Sequence, residues 1–278
     1  MAYSENELKS IQKIEMDILI EVQKICIEEN IEFFLIGGTA LGAIRHEGFI
    51  PWDDDIDVAM TRENYDRFIQ IAPDKLSDKY FLQSITTEKN TPYPYCKIRD
   101  NTGSEYIEYC NRNLNIHNGI YIDIFPFDEV PDNENLNIKQ YNKVMKYAQF
   151  FSFRNTPDIS NRPEKLSEIC KFVVRRLIHY IFLLFPRNYI NIALEKEMTK
   201  YNNSNQQYLA GLFFPKRKVE YIAKIDLYPL VYKLFEGKEM PIANNWDKYL
   251  KTHYGDYMKY PPIEQRFGHK PYRIKINA

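Results

Sequence analysis

Apolar residues recur at helical spacing near the start of the chain, at Leu8, Ile11, Met16, Leu19, Val22 and Ile25. Ser4 precedes Glu7 by three positions, which is the spacing of the capping box that begins many helices. We therefore predict an amphipathic helix over residues 4–28 whose apolar face packs on a core.

A short apolar segment, "EFFLI", runs directly into a glycine pair, Gly37 and Gly38. We predict a strand, a turn and a helix that begins near Thr39. Backbone N–H groups at the start of a helix bind phosphate oxygens, and we expect Gly38 to need a positive φ or a close approach to phosphate. The Walker lysine and the G-x-G-x-x-G spacing are both missing, so a plain tight turn remains the alternative.

The segment "IPWDDDIDVAM", residues 50–60, sets four aspartates among apolar residues. If a strand begins at Asp55, alternation places Asp55 and Asp57 on one face. Two charges ~4 Å apart repel by ~4 kcal/mol at an effective dielectric of about 20, and a cation would offset that cost. We predict a site for Mg²⁺ or Mn²⁺, which prefer such hard oxygen ligands. A solvated acidic turn and a calcium loop are the alternatives.

A second acidic strand is predicted in "NGIYIDIFPFDEVP", residues 118–131, where Asp123 interrupts an apolar run. Asp123 either forms a salt bridge within the sheet or supplies a third metal ligand from a neighbouring strand. Two further strands are predicted, at "YFLQSI" and "YCKIRD".

Residues 132–210 are predicted to be mostly helical, and "KFVVRRLIHYIFLLF", residues 171–185, is their most apolar segment. We expect a core helix there, and a helix lying in a membrane interface is the alternative. The apolar run from Leu177 to Phe185 covers roughly 14 Å, too little to cross a hydrocarbon layer of about 30 Å.

The composition narrows the function further. The 278 residues are 44% hydrophobic and 27% charged, with a formal charge of −1, so we predict a sizeable core and no nucleic-acid partner. The four cysteines lack C-x-x-C spacing, which indicates a reduced, cytoplasmic chain without a cysteine zinc site. The N-terminal residues lack the pattern of a secretory signal.

Four blocks, "GGTALGAIRHEGFIPWDDDIDVAM", "KIRD", "YIDIFPFD" and "YGDYMKYPP", resemble in their order the LicD family of phosphotransferases, which are relatives of fukutin. The resemblance runs from about residue 30 to about residue 270. It implies an α/β (α+β) fold of the nucleotidyltransferase type, a small mixed sheet flanked by helices with a largely helical C-terminal part. We divide the chain into a catalytic core, 1–131, and a mostly helical region, 132–278, that packs on it and helps to bind acceptor.

The resemblance also implies roles for single residues. Asp55, Asp57 and Asp123 would form a catalytic and metal-binding triad. Donor contacts would come from Gly37, Gly38, Thr39, Arg45, Lys97 and Arg99. The three basic residues in this set have an alternative role in ordinary ion pairs.

The implied reaction moves a phospho-substituent, such as phosphocholine or an alditol phosphate, from a CDP-linked donor to a hydroxyl of a cell-surface glycan or its lipid-linked precursor. CMP would be released, and the lipid-linked acceptor suggests peripheral contact with the inner face of a membrane. Two other functions stay open: a nucleotidyltransferase that uses an NTP and releases pyrophosphate, and a glycan-binding protein without turnover.

Overall fold

The structure is a computed structural model that describes residues 4–214 and 220–276. The helices in these ranges are α1 (Glu5–Glu28), α2 (Gly37–Arg45), α3 (Arg62–Lys75), α4 (Glu134–Asn155), α5 (Leu166–Leu183), α6 (Arg187–Met198), α7 (Lys224–Leu227) and α8 (Trp246–Tyr254). The strands in the same ranges are β1 (Phe34–Leu35), β2 (Asp57–Thr61), β3 (Tyr80–Gln83), β4 (Cys96–Asp100), β5 (Glu105–Ile107), β6 (Tyr121–Val130), β7 (Tyr208–Ala210), β8 (Tyr221–Ala223), β9 (Val231–Phe235), β10 (Lys238–Ile242) and β11 (Arg273–Lys275).

The first helix forms as predicted. The Ser4 hydroxyl accepts the backbone N–H of Glu7, and the Glu7 carboxylate accepts the backbone N–H of Ser4, so both halves of the capping box are present. The apolar face of α1 is buried, with Ile11, Leu19 and Val22 fully shielded from solvent. Burying such a face supplies most of the stability of a surface helix.

The central sheet is mixed and has the strand order β1-β2-β6-β4-β3, with β7 and β8 attached beyond β6. The pairing of β2 with β6 is parallel, and the other pairs of this sheet are antiparallel. A mixed sheet flanked by helices confirms the predicted α/β class. Five of the strands, β7–β11, lie in the C-terminal part, where only helices and loops were predicted in outline.

The face of α5 that contacts α4 mixes polar and apolar side chains. Arg175 donates to the carbonyls of Ser152 and Thr156 at 2.7 and 3.0 Å, His179 Nδ1 lies 2.9 Å from the Phe153 carbonyl, and the Phe182 ring packs against Phe153. Most of the large apolar side chains of α5 are exposed, and they are Leu166, Ile169, Val173, Val174, Leu177, Tyr180, Ile181 and Leu183.

No residue of α5, all of which the structure describes, is buried. The expectation of a core helix at 171–185 is therefore wrong, because most of the large apolar side chains of α5 are exposed. Within the described ranges no helix combines the length and the apolarity needed to cross a membrane.

We predict that replacing an outward α5 residue leaves stability nearly unchanged. Leu177 is 59% exposed, and Ile98 of β4 is fully buried. Leu177→Gln should change the free energy of unfolding by less than about 0.5 kcal/mol, whereas Ile98→Ala should lower it by about 2–5 kcal/mol. Urea unfolding of both variants measures the difference. A loss above about 2 kcal/mol in Leu177→Gln would contradict the exposed position of this face.

Candidate active site

Three charged side chains lie in a row across adjacent strands. The parallel register sets Asp57 of β2 opposite Asp123 of β6, and the antiparallel register sets Asp123 opposite Lys97 of β4. Opposite residues in neighbouring strands share a face of the sheet. The Lys97 ammonium, whose side chain is 1% exposed, donates to the Asp123 carboxylate. Asp123 therefore has the salt bridge that one interpretation predicted, and it also faces Asp57 as the other requires.

The remaining aspartates sit in the loop before β2, which begins at Asp57 and not at Asp55 as predicted. The Asp55 side chain is 25% exposed and hydrogen-bonds Asp53. Asp54 is buried and accepts the Tyr106 hydroxyl at 2.9 Å and the His269 backbone N–H at 2.7 Å. Asp53 and Asp55 of this loop therefore lie beside the row of charged side chains. Asp54 instead binds the C-terminal segment at His269.

Burial and mutual repulsion disfavour ionisation of these acids. Burial raises the pKa of Asp57 well above its usual range, and the charges of Asp55 and Asp123 raise it further. Burial also raises the pKa of Asp123, while Lys97 opposes that shift. Glu15 of α1 is buried near the cluster, its pKa is raised by burial and then by Asp55, and its Oε2 has no hydrogen-bond partner among the described residues. The site concentrates negative charge that a bound cation would offset.

The glycine turn lies against the acids. Gly37 has a φ of 55°, and a Cβ built on it would lie 3.5 Å from Asp57 Oδ2. A Cβ on Gly38 would lie 2.8 Å from Asp53 Oδ2, so the positive φ belongs to Gly37 and the close approach at Gly38 is to a carboxylate. The α2 helix begins at Gly37, two residues earlier than predicted.

Hydrogen bonds hold the glycine turn, Gly37 and Gly38, in place. The Gly37 backbone N–H donates to the Tyr249 hydroxyl at 2.9 Å, and that hydroxyl donates to the buried Glu220 carboxylate. The Thr39 hydroxyl accepts the backbone N–H of Asp57 at 2.8 Å. Thr39 therefore ties the turn to β2.

The structure places the three basic residues of the predicted donor site, Lys97, Arg99 and Arg45, in different surroundings. Lys97 joins the acids. Arg99 is buried and donates to Gln83 Oε1 at 2.6 Å and to the Gly119 carbonyl at 2.7 Å. Arg45 lies at the opposite end of α2 from Gly37 and donates to the Tyr257 carbonyl at 2.7 Å. In the ranges that the structure covers, neither guanidinium contacts the three aspartates.

The donor set fits a hard divalent ion by its chemistry, since it consists of carboxylates and Asp55 is open to solvent. In the described parts of the chain, no group of three or more His, Cys, Asp or Glu is already arranged to hold a metal. The carboxylates repel each other, and one Asp123 oxygen is bound to Lys97. A metal would therefore require Asp55, Asp57 and Asp123 to turn toward a common point, and Mg²⁺ or Mn²⁺ stays a prediction.

Several residues near the acids were not predicted from the sequence. Glu15 had a detectable signal, because it falls on the apolar face of α1 between Ile11 and Ile18. Glu220 and Tyr249 lie far along the chain in segments without a motif, so only the fold brings them to Gly37. His269 contacts Asp54 at 3.2 Å, and this hydrogen bond raises the pKa of His269 to about 10.

Comparison with known proteins identifies the class. Residues 30–157 match the family described as LicD/FKTN/FKRP, nucleotidyltransferase domain. The chain is 28% identical to the lipopolysaccharide cholinephosphotransferase LicD of Haemophilus influenzae over 96% of both chains. Uncharacterized proteins of Rickettsia typhi and Rickettsia prowazekii are 26% and 25% identical over 62% of this chain, which spans 51% and 60% of their lengths.

These matches support the class of the enzyme. Residues 30–157 carry the domain of the LicD family, and the similarity to a LicD enzyme over 96% of both chains supports a phosphotransferase of this type.

We predict a pH dependence of stability that Glu220 controls in part. Burial raises the pKa of Glu220 from 4.5 to about 8, so the folded protein binds a proton that the unfolded chain releases. That stabilisation is present below about pH 4.5 and is lost as the pH rises through about 8. Glu220→Gln stays neutral and should remove a slope of up to about 1.4 kcal/mol per pH unit.

Urea unfolding in a chelator between pH 5 and about pH 9 tests this linkage. The matched control is Glu63→Gln, at an exposed position of α3, which should retain the slope of the original protein. Identical slopes for Glu220→Gln and the original protein would contradict the assignment.

Proposed function

We propose that this enzyme transfers phosphocholine, or a similar phospho-substituent, from a CDP-linked donor to a hydroxyl of a cell-surface glycan or its lipid-linked precursor. The name of the Haemophilus relative supports phosphocholine as the substituent and lipopolysaccharide as the class of acceptor. Release of CMP completes the reaction.

One observation carries the proposal: Asp57 and Asp123 face each other across β2 and β6, beside the glycine turn that begins α2. Such a turn offers backbone N–H groups to phosphate oxygens, and the paired carboxylates offer ligands to the cations that accompany phosphates. Phosphoryl transfer depends mainly on positioning and on charge neutralisation, which these two features supply together.

The residues have separate tasks in this scheme. Asp55 and Asp57 would hold a metal on the donor side, and Asp123 would complete a second position. Divalent ions bound there would neutralise charge on the phosphate oxygens. The α2 N-terminus would orient the diphosphate, and Lys97, which donates to Asp123, favours the ionised form of that carboxyl group.

The bond changes follow an in-line displacement. The acceptor oxygen forms a bond to the phosphorus that bears the substituent, and the bond from that phosphorus to CMP breaks. CMP leaves with the electron pair, and Asp123 would accept the proton of the acceptor hydroxyl. Its role as a base is the weaker assignment, because a metal-bound carboxylate is a poor base.

A nucleotidyltransferase acting on an NTP is the second candidate, since the same acids serve both reactions. The products distinguish the two: CMP from CDP-choline supports the proposal, and pyrophosphate from CTP supports the alternative. A panel of CDP-linked compounds, incubated with Mg²⁺ and a glycan extract, decides between them.

We predict that Asp57→Asn lowers CMP release by about 100-fold or more while the protein remains folded. The amide keeps the shape of the side chain and removes the charge on which cation binding depends. The control is Asp74→Asn, at an exposed position of α3, which should keep full activity. Undiminished CMP release by Asp57→Asn in Mg²⁺ would refute the assignment of this residue.

We also propose that the enzyme works at an anionic membrane surface, where a lipid-linked acceptor is found. The outward apolar face of α5 supports this, together with Tyr180 and Tyr189, which are 64% and 65% exposed, and the exposed Lys165 and Lys171. Apolar side chains with interfacial aromatic and basic residues are typical of helices that lie in the headgroup region.

Co-sedimentation with phosphatidylserine vesicles tests the membrane contact. Binding should weaken with salt, and Leu177→Glu should weaken it more than Ile27→Glu, a control at an exposed α1 position. Absence of binding at low salt would count against the membrane. A solution dimer that Leu177→Glu disrupts would instead assign the face to a second copy of the chain.

A further inference from the structure

A second feature beside the acids is a cavity of about 490 Å³ between the C-terminal end of α2 and the chain that follows α8. Its walls include Leu41, Ile50, Trp52, Tyr254 and Tyr260. This volume is in the range of small-molecule sites, and an aromatic lining is typical of them. The cavity is therefore large enough for a planar organic ligand.

The Arg45 guanidinium lines this cavity together with Asp256 and Lys259, and a second guanidinium, that of Arg266, lies against the aromatic wall. The Arg45 guanidinium lies 4.9 Å from the centre of the Tyr260 ring. The Arg266 guanidinium lies 5.2 Å from that ring and 5.3 Å from the centre of the Trp52 ring. Trp52 and Tyr260 are themselves 6.1 Å apart, centre to centre. Guanidinium groups and aromatic rings therefore lie next to each other at this cavity.

Within the described residues, no salt bridge neutralises the charges of these two arginines. Arg45 donates to the Tyr257 carbonyl and Arg266 to the Pro261 carbonyl, and neither forms a salt bridge with an acid in residues 4–214 or 220–276. Burial lowers the pKa of Arg45, and the nearby Arg266 lowers it further. An anion in the cavity would relieve this repulsion.

The cavity adjoins the acids. Tyr254 lines it, and the Tyr254 hydroxyl lies 3.9 Å from the position of a Cβ on Gly37, the same position that lies 3.5 Å from Asp57 Oδ2. On its other side, Trp52 directly precedes Asp53. A ligand that occupies the cavity can therefore extend to the acids without leaving the protein surface.

We infer that this cavity binds the nucleoside monophosphate half of the donor, with the base against Trp52 and Tyr260 and phosphate oxygens near Arg45 and Arg266. The inference rests on the proposed function. Bases stack on aromatic rings and on guanidinium planes, and arginine binds phosphate through paired hydrogen bonds.

The same charges define the orientation of the donor. Aromatic rings also attract quaternary ammonium groups, but the cations at this cavity, Arg45, Lys259 and the nearby Arg266, outnumber its one acid, Asp256, and repel them. The choline end of the donor therefore lies outside this cavity, beyond the acids. The diphosphate then leads from the cavity toward Asp57, with the transferred phosphorus farthest from the base.

Tryptophan fluorescence reports on the cavity directly. The chain has two tryptophans, and Trp246→Phe leaves Trp52 as the single fluorophore. In this background, CMP with Mg²⁺ should quench Trp52 in a saturable manner, and phosphocholine should neither quench it nor compete with CMP. Arg266→Gln should raise the Kd for CMP about tenfold or more. Arg67→Gln is the matched control, because Arg67 also donates to backbone carbonyls but lies on the surface of α3.

The outcomes separate this inference from the function on which it rests. Saturable CMP binding that leaves Trp52 fluorescence unchanged and is unaffected by Arg266→Gln would overturn the cavity assignment while CDP-choline turnover still supports the proposed function. Competition by phosphocholine at Trp52 would reverse the orientation and overturn the inference. Absence of both CMP binding and CMP release from CDP-choline would overturn the inference and the proposed function together.

Discussion

The parallel pairing of β2 with β6 is the constraint on which the candidate site depends. It sets Asp57 opposite Asp123, and the backbone N–H of Asp123 donates to the Ile56 carbonyl at 2.9 Å, which extends the ladder into the acidic loop. A slip of one residue would move either aspartate to the other face of the sheet. Buried side chains oppose such a slip, because Val58 and Ile124 occupy the core in the present register. Packing of ordinary apolar residues therefore determines the position of the charges.

The charges themselves oppose folding, and the structure holds them with few compensating groups. Lys97 is the cation that bonds Asp123, and burial lowers its own pKa. Two tyrosine rings make a buried ammonium tolerable, since Lys97 Nζ lies 3.5 Å from the centre of the Tyr121 ring and 4.2 Å from that of Tyr93. An apolar residue at these positions would fold more readily, so the arrangement is best understood as stability given up for a binding function.

Local signals predicted the N-terminal half well. The capping box of α1 and the apolar run of β6 lie where the sequence indicates, because each is determined by neighbouring residues, and β2 begins two residues later than predicted. The same spacing rules failed for α5, since apolarity alone does not tell which face of a helix turns inward when Arg175 and His179 find carbonyl partners on α4. They also could not find Tyr249, which lies 212 positions from Gly37, or Glu220, which accepts the Tyr249 hydroxyl. The bound metal and the contacts with the donor stay predictions, which rest on the chemistry of the side chains.

These contacts between distant parts of the chain show how much of the chain the candidate site requires. The family match stops at residue 157, yet Glu220, Tyr249 and Tyr254 approach the glycine turn, and His269 anchors the acidic loop through Asp54. The Haemophilus relative aligns over 96% of its length, so its similarity extends through these later segments as well. Because the turn and the acidic loop are held by residues on both sides of the family boundary, a fragment ending near residue 157 would keep Asp55, Asp57 and Asp123 but lose the groups that position them. The geometry of the candidate site therefore depends on the chain through at least His269.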